Sequence, residues 1–130
     1  MSIEKAIFSY LTNFPGVKDL IGTRLYPLEI PQTGTLPAVI YESMGRNSIN
    51  SQSGDSNLAK STIRFTAWAE DYDGERVIID ALDIALNGYQ GMMGGLYIQG
   101  CFTRQAGEDL NVPTDLIGRV IEGDFWHGKR

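Results

Sequence analysis

Thr62-Ile63-Arg64-Phe65-Thr66-Ala67-Trp68 alternates apolar and polar side chains more cleanly than any other stretch of the 130-residue chain. Successive side chains of an extended strand point to opposite faces of its sheet, so Ile63, Phe65 and Ala67 share one face while Thr62, Arg64 and Thr66 share the other. The segment therefore predicts a half-buried strand. Its expected partner is a strand over 37–44, where Val39, Ile40 and Tyr41 point to burial on both faces.

Between these two strands lies a run over 46–60 that is dominated by Ser, Asn and Gly. Most connections in compact domains are about 4 to 6 residues long, and longer ones are usually functional or disordered. The stretch Asn47-Ser48-Ile49-Asn50-Ser51-Gln52-Ser53-Gly54-Asp55-Ser56-Asn57 offers little apolar surface to offset the entropy of ordering. The expectation is a long-looped hairpin whose loop stays loose until a partner holds it.

Upstream, Ile3, Ala6, Ile7, Tyr10, Leu11 and Phe14 recur at the spacing of one helical face, with Ser2 placed as N-cap and Glu4 favourable to the positive end of the dipole. Pro15-Gly16 ends that helix, and 17–21 adds a further turn closed by Gly22 in a left-handed cap. A strand over 23–30 follows, and Pro27 and Pro31 mark it as an edge. Downstream, a helix over 72–86 has Asp71 or Asp73 as cap and a buried stripe of Ile78, Ala81, Leu82 and Ala85, ended by Asn87-Gly88. Gly91-Met92-Met93-Gly94-Gly95 reads as a turn. A strand over 96–103, a second loop over 104–115 carrying Gly107 and Pro113, and a last strand over 117–127 complete the chain. The order predicts an α+β domain spanning 1–130: a mostly antiparallel four- to five-stranded sheet with two main helices packed on one face.

Composition narrows the function. An apolar fraction of 42% suffices for one core, and the lone Cys101 forms no internal disulfide, which suits a reducing, cytoplasmic setting. No apolar run approaches the roughly 20 residues that cross a bilayer. The start Met1-Ser2-Ile3-Glu4-Lys5 lacks the pattern of a signal peptide, so a soluble protein without a membrane partner is expected. A net charge of −5 argues against specific nucleic-acid binding, whose affinity comes mainly from Lys and Arg on phosphates.

Candidate chemistry is sparse. Glu70, Asp71, Asp73 and Glu75 form the densest acidic cluster, but carboxylates at a helix start complement its dipole, and their spacing fits no EF-hand loop. Glu122 and Asp124 lie two apart on one strand, with Glu108 and Asp109 in the preceding loop; a divalent-metal or paired-carboxylate site is one reading and solvated acids the other. His127 sits near a chain end, where frayed backbone positions a general base poorly. Cys101 lacks the cations that would activate it. The glycines at 91, 94 and 95 lack the Lys-Ser/Thr of a phosphate loop. Arg64 and Arg119 either meet acids of a neighbouring subunit or stay solvated. No cofactor is expected.

Taken together, Pro15-Gly16-Val17, Leu20-Ile21-Gly22-Thr23-Arg24-Leu25-Tyr26-Pro27, Leu36-Pro37-Ala38-Val39-Ile40-Tyr41, Phe65, Ala67-Trp68-Ala69, Tyr72, Ala81-Leu82, Ala85-Leu86, Gly88, Gly91, Gly95 and Asp124-Phe125-Trp126 form an ordered series. In that order they resemble the tail-completion, or tail-terminator, proteins of tailed bacteriophages and prophages. The extended serine-asparagine run and Gly74 near the start of the second main helix depart from that pattern.

The resemblance implies a virion structural protein, not an enzyme. It would cap the tail tube as a homo-oligomeric, hexameric ring and prepare it for head joining, in the host cytoplasm and then in the virion tail. Implied partners are further copies of the chain, the major tail-tube protein and a head-completion or connector protein, with DNA passing through an acidic ring that does not trap it. The interface would then draw on Arg46, Asn47, Ile49, Asn50, Asp55 and Leu58 of the first loop, Glu108, Asp109 and Leu110 of the second, and Arg64 and Arg119 on strands. Two rival readings stand beside it: another head–tail neck adaptor of the same fold, and a metal-dependent hydrolase using Glu108, Asp109, Glu122 and Asp124.

Overall fold

The computed structural model describes residues 2–27, 36–51, 54–69, 71–111 and 116–128; for 46–51, 54–57, 72, 106–111 and 116–117 it is the backbone that is described. The elements run α1 (Ile3–Leu11), α2 (Pro15–Ile21), β1 (Leu25–Pro27), β2 (Ala38–Ser51), β3 (Gly54–Trp68), α3 (Tyr72–Leu86), β4 (Gly91–Met93), β5 (Leu96–Asn111) and β6 (Leu116–Gly128). They form an α+β fold whose sheet has six strands in the order β1-β2-β3-β6-β5-β4. Every pairing is antiparallel except β1 with β2, which is parallel.

Local chemistry accounts for the helices. The Ser2 hydroxyl accepts from the Lys5 N–H at 3.2 Å and caps α1, whose Ile3, Ala6, Ile7 and Leu11 are buried. Pro15 opens α2 instead of merely ending α1: its missing N–H is an orphan in the first turn anyway, and Gly22 closes the helix at φ 59°. Asp71, not Asp73, caps α3 by accepting from the Gly74 N–H at 2.6 Å. That bond explains Gly74, because a Cβ there would sit 2.9 Å from the same Asp71 oxygen and 3.1 Å from the Ala69 Cβ.

All three helices pack on one face of the sheet. The core joins Ile7, Leu11, Ile21, Ile78, Leu82 and Leu86 of the helices to Val39, Ile63, Phe65, Ile98, Cys101, Ile121 and Phe125 of the strands. Each fully buried aliphatic or aromatic side chain contributes about 1.5–3 kcal/mol through removal from water. The Tyr10 hydroxyl ties α1 to α3 by donating to the Ala85 carbonyl at 2.7 Å.

Several sequence expectations are corrected by the sheet. The expected loops over 46–60 and 104–115 are mostly strand: β2 and β3 pair from Ala38↔Trp68 out to Ser51↔Gly54, and β5 pairs β6 out to Asn111↔Leu116. Ladder hydrogen bonds between main chains do not require apolar side chains, so a polar composition that cannot form a core still forms a ribbon. The expected turn at 91–95 contains β4, a three-residue edge strand paired with Leu96–Ile98. Of the strand expected over 23–30, Leu25–Pro27 form β1 at the sheet edge, and 28–30 lie outside the described residues. Among the described residues, no helix is long and apolar enough to cross a membrane.

Candidate functional site

The antiparallel order decides where the two ribbons project. Leu58 of β3 pairs with Gly128, the last β6 residue in that ladder, so 50–51 and 54–57 extend beyond β6 as a two-stranded arm. At the other end of β3, Ala67 pairs with Arg119, and Asp109↔Gly118, Leu110↔Ile117 and Asn111↔Leu116 continue past it as a second arm. The two arms therefore leave opposite ends of the sheet. Nine strand steps from Leu58 to Ala67 separate their bases by roughly 30 Å at the usual rise per residue.

This topology sorts the residues singled out from sequence into three places. Arg46, Asn47, Ile49 and Leu58 lie at the base of the first arm, with Asn50 and Asp55 paired to each other beyond it. Glu108 pairs in register with Arg119 at the base of the second arm, and Asp109 and Leu110 lie along it. Arg64 stands between the arms, near the middle of the sheet. The set forms no single cluster.

Arg64 belongs to a charged array on the sheet face opposite the helices. Its guanidinium bonds the Glu122 carboxylate at 3.1 Å and approaches Glu42 at 4.0 Å. Arg104 bonds the same Glu122 at 2.9 Å and Asp124 at 2.7 Å. The Thr62 hydroxyl adds a bond to Asp124 at 2.6 Å. Burial pushes the Asp124 carboxyl up, but the Thr62 hydroxyl and the Arg104 guanidinium together outweigh it and hold the group below its ordinary value. Beyond the array, Lys60 Nζ lies 5.9 Å from the Trp126 ring centroid, and Phe102 meets that ring edge-on. Three acids and three bases are interleaved across β2, β3, β6 and β5, so the −5 charge of the chain is not concentrated here. The sequence points to Glu122 and Asp124 but not to their partners. Arg104 falls in the expected second loop, and only an alternation of β5 extended past Thr103 places it beside them.

Of the four acids of the hydrolase reading, the side chains of Glu108 and Asp109 lie outside the described residues. Glu122 and Asp124 are held by guanidinium groups, and among the described residues no group of three or more His, Cys, Asp and Glu side chains is placed to hold a metal ion. His127 is not frayed, contrary to expectation: it is buried, and its Nε2 lies 2.7 Å from the Ser61 hydroxyl. Its Nδ1 faces the Gly128 carbonyl at 2.5 Å, which only an N–H can satisfy, so the neutral ring accepts at Nε2 from Ser61. A Ser–His pair can activate a nucleophile, but here both groups are almost wholly inaccessible, at 1% and 2% exposure. Cys101 is buried too, and burial pushes its thiol up to about 12 with a smaller contribution from Asp124.

One open cavity of about 520 Å³ lies between α2, the Leu36-Pro37 segment and the start of α3. Leu20, Pro37, Ala69 and Val77 give it an apolar lining, and the Asp71 carboxylate at its edge is committed to the α3 cap. It presents a niche for an apolar group, with the carboxylates of Asp71 and Asp73 as its charged lining.

No protein-family model and no curated protein matches the sequence. Among solved structures, the fold is similar to that of a chain in the virion of a native gene transfer agent particle, with a TM-score of 0.70 at 15% identity. The superposition covers 98% of this chain and 95% of that one. Similarity at this level of identity is a similarity of fold.

Proposed function

We propose that the protein is a structural component of a phage-like particle, a tail terminator that closes the end of a tail tube as a homo-oligomeric ring and readies it for joining to the head. The carrying observation is the near end-to-end likeness in fold to a chain of a gene transfer agent virion. The two hairpin arms agree with it. Leaving opposite ends of the sheet, they allow one subunit to touch a tube on one side and a head-side connector on the other. A ring repeats each weak arm contact around its circumference, so modest contacts sum to firm attachment.

The interface residues then divide by end. Arg46, Asn47, Ile49, Asn50, Asp55 and Leu58 serve one side, Glu108, Asp109, Leu110 and Arg119 serve the other, and Arg64, between the arms, adds an interface position on the sheet face. DNA would pass such a ring without adhering, in keeping with the acidic balance. A neck adaptor of the same fold is the second reading, because arms at both ends suit a spacer equally well.

Light scattering after size-exclusion chromatography, with and without purified tail tubes, tests the ring. Electron microscopy of labelled protein on intact tails then locates it. Rings at the head-proximal tube end are expected; a chain that stays monomeric and ignores tubes would overturn the proposal, and label elsewhere in the neck would favour the adaptor.

A further inference from the structure

Among the described residues, the two outer edges of the sheet are covered over short stretches. Among the described residues, the edge strand β1 pairs with Val39–Tyr41 and β4 with Leu96–Ile98. Past β4, the end of α3 satisfies two more groups of β5: the Gly88 N–H donates to the Cys101 carbonyl at 2.7 Å, and the Thr103 N–H donates to Asn87 Oδ1 at 3.1 Å. Beyond those points, 42–51 of β2 and 104–111 of β5 have no strand on their outer side among the described residues. Long uncovered edges are templates for pairing, and proteins that do not use them usually block them.

The register identifies the groups on offer. Val39 donates outward to the Arg24 carbonyl at 3.0 Å, so at a period of two Tyr41 and Ser43 also direct their main-chain groups outward. By the same count from Cys101 and Thr103, Gln105 is the next outward residue on β5. Ser43 and Gln105 are both exposed, and each is followed at once by an irregularity in the inner ladder, which bends the strand.

We infer that the subunits of the ring join edge to edge, the outer edge of β2 over 42–51 in one copy pairing with the outer edge of β5 over 104–111 in a second copy. This rests on the ring proposed above and names its subunit contact. Polarity permits it: three antiparallel steps separate β2 from β5, so a sheet continued head to tail places the two edges antiparallel. The open run of β2 lies toward the first arm and that of β5 toward the second, so successive copies are offset along the strands, as tilted strands of closed sheets are. Two different surfaces meet, which makes the contact heterologous, and heterologous contacts close into rings when the rotation permits.

Proline on an edge strand is tolerated where its missing N–H would face solvent, so Ser43→Pro and Gln105→Pro should leave the fold intact, read by circular dichroism. Each removes one inter-subunit hydrogen bond, worth about a tenfold rise in the concentration for half-assembly. In parallel, Ser43→Cys and Asn111→Cys, which an antiparallel overlap of 42–51 with 104–111 brings opposite one another, should when combined in one chain give a ladder of oligomers with a short bismaleimide, while neither alone does. If wild-type protein forms rings, both prolines leave the assembly concentration unchanged and the double cysteine variant gives no ladder, the edge contact is wrong and the ring stands. If wild-type protein forms no rings even on tubes, both are wrong.

Discussion

The imidazole of His127 and the hydroxyl of Ser61 meet at 2.7 Å beneath the sheet, both buried. The bond spans β6 and β3 near the end of their ladder, where Ala59 and Leu58 pair with His127 and Gly128. It pins the base of the first arm. Ser61→Ala is expected to cost about 1–3 kcal/mol by withdrawing the donor from a buried ring nitrogen. Thermal denaturation would show a melting point lowered by several degrees, with ring assembly retained below it. Loss of assembly in a still-folded variant would give the pair a role other than structural.

Gly118 lies where β6 passes under two side chains of β3. A Cβ at that position would sit 2.6 Å from Thr66 Cγ2 and 2.9 Å from Trp68 Cε2. Gly118→Ala should therefore destabilise the fold by about 1–3 kcal/mol, as overpacking does, despite the usual gain from removing a glycine. Chemical denaturation measures it, and an unchanged midpoint would mean that the second arm yields at its base.

The charged array makes a pH-dependent contribution whose sign follows from Asp124. Its folded value is depressed, so the stabilisation is fully present above the unfolded carboxylate range near 4 and is lost as pH falls through the lower folded value. The melting point of the wild type should drop between roughly pH 5 and pH 2. In Asp124→Asn that drop should be shallower; equal slopes would remove the array from the account.

Cys101 offers a clean probe of opening. Burial at 0% exposure and a thiol raised to about 12 leave almost no accessible thiolate at neutral pH. Thiol reagents should label it only as fast as the core opens, with full labelling in denaturant. Prompt labelling of the native protein would show that β5 separates from α3.

The first arm can be cut back without touching the core. Ile49 and Leu58 are register partners, so replacing 50–57 with Asn-Gly joins them through a two-residue hairpin turn. The shortened protein should fold, since Leu58 onward still pairs with β6, and should lose attachment at one end of its assembly only. Tail-tube binding by the ring is the measurement, and unchanged binding at both ends would free the arm of that role.

Residues with local physical signatures are legible in the amino-acid sequence. Ser2 and Asp71 as caps, the 72–86 helix, the alternation around Phe65 and the edge character of Pro27 all follow from interactions within a few residues. The arms are not legible there, because whether a serine-asparagine run pairs depends on the strand opposite it and not on its own composition. Arg104 escapes a sequence reading for the same reason: its role is set by Glu122 and Asp124, which lie across a ladder.

By itself, then, the order of side chains determined which segments turn, coil into helices or alternate, and which of their faces are apolar, since those properties arise from neighbours along the chain. Tertiary structure decided that β3 and β6 lie side by side, that the two arms consequently point apart, that His127 is buried against Ser61, and that β1 and β4 form the two edges of the sheet. Each of these is a relation between residues far apart in sequence, and main-chain hydrogen bonding, which carries no side-chain signature, is what brings them together.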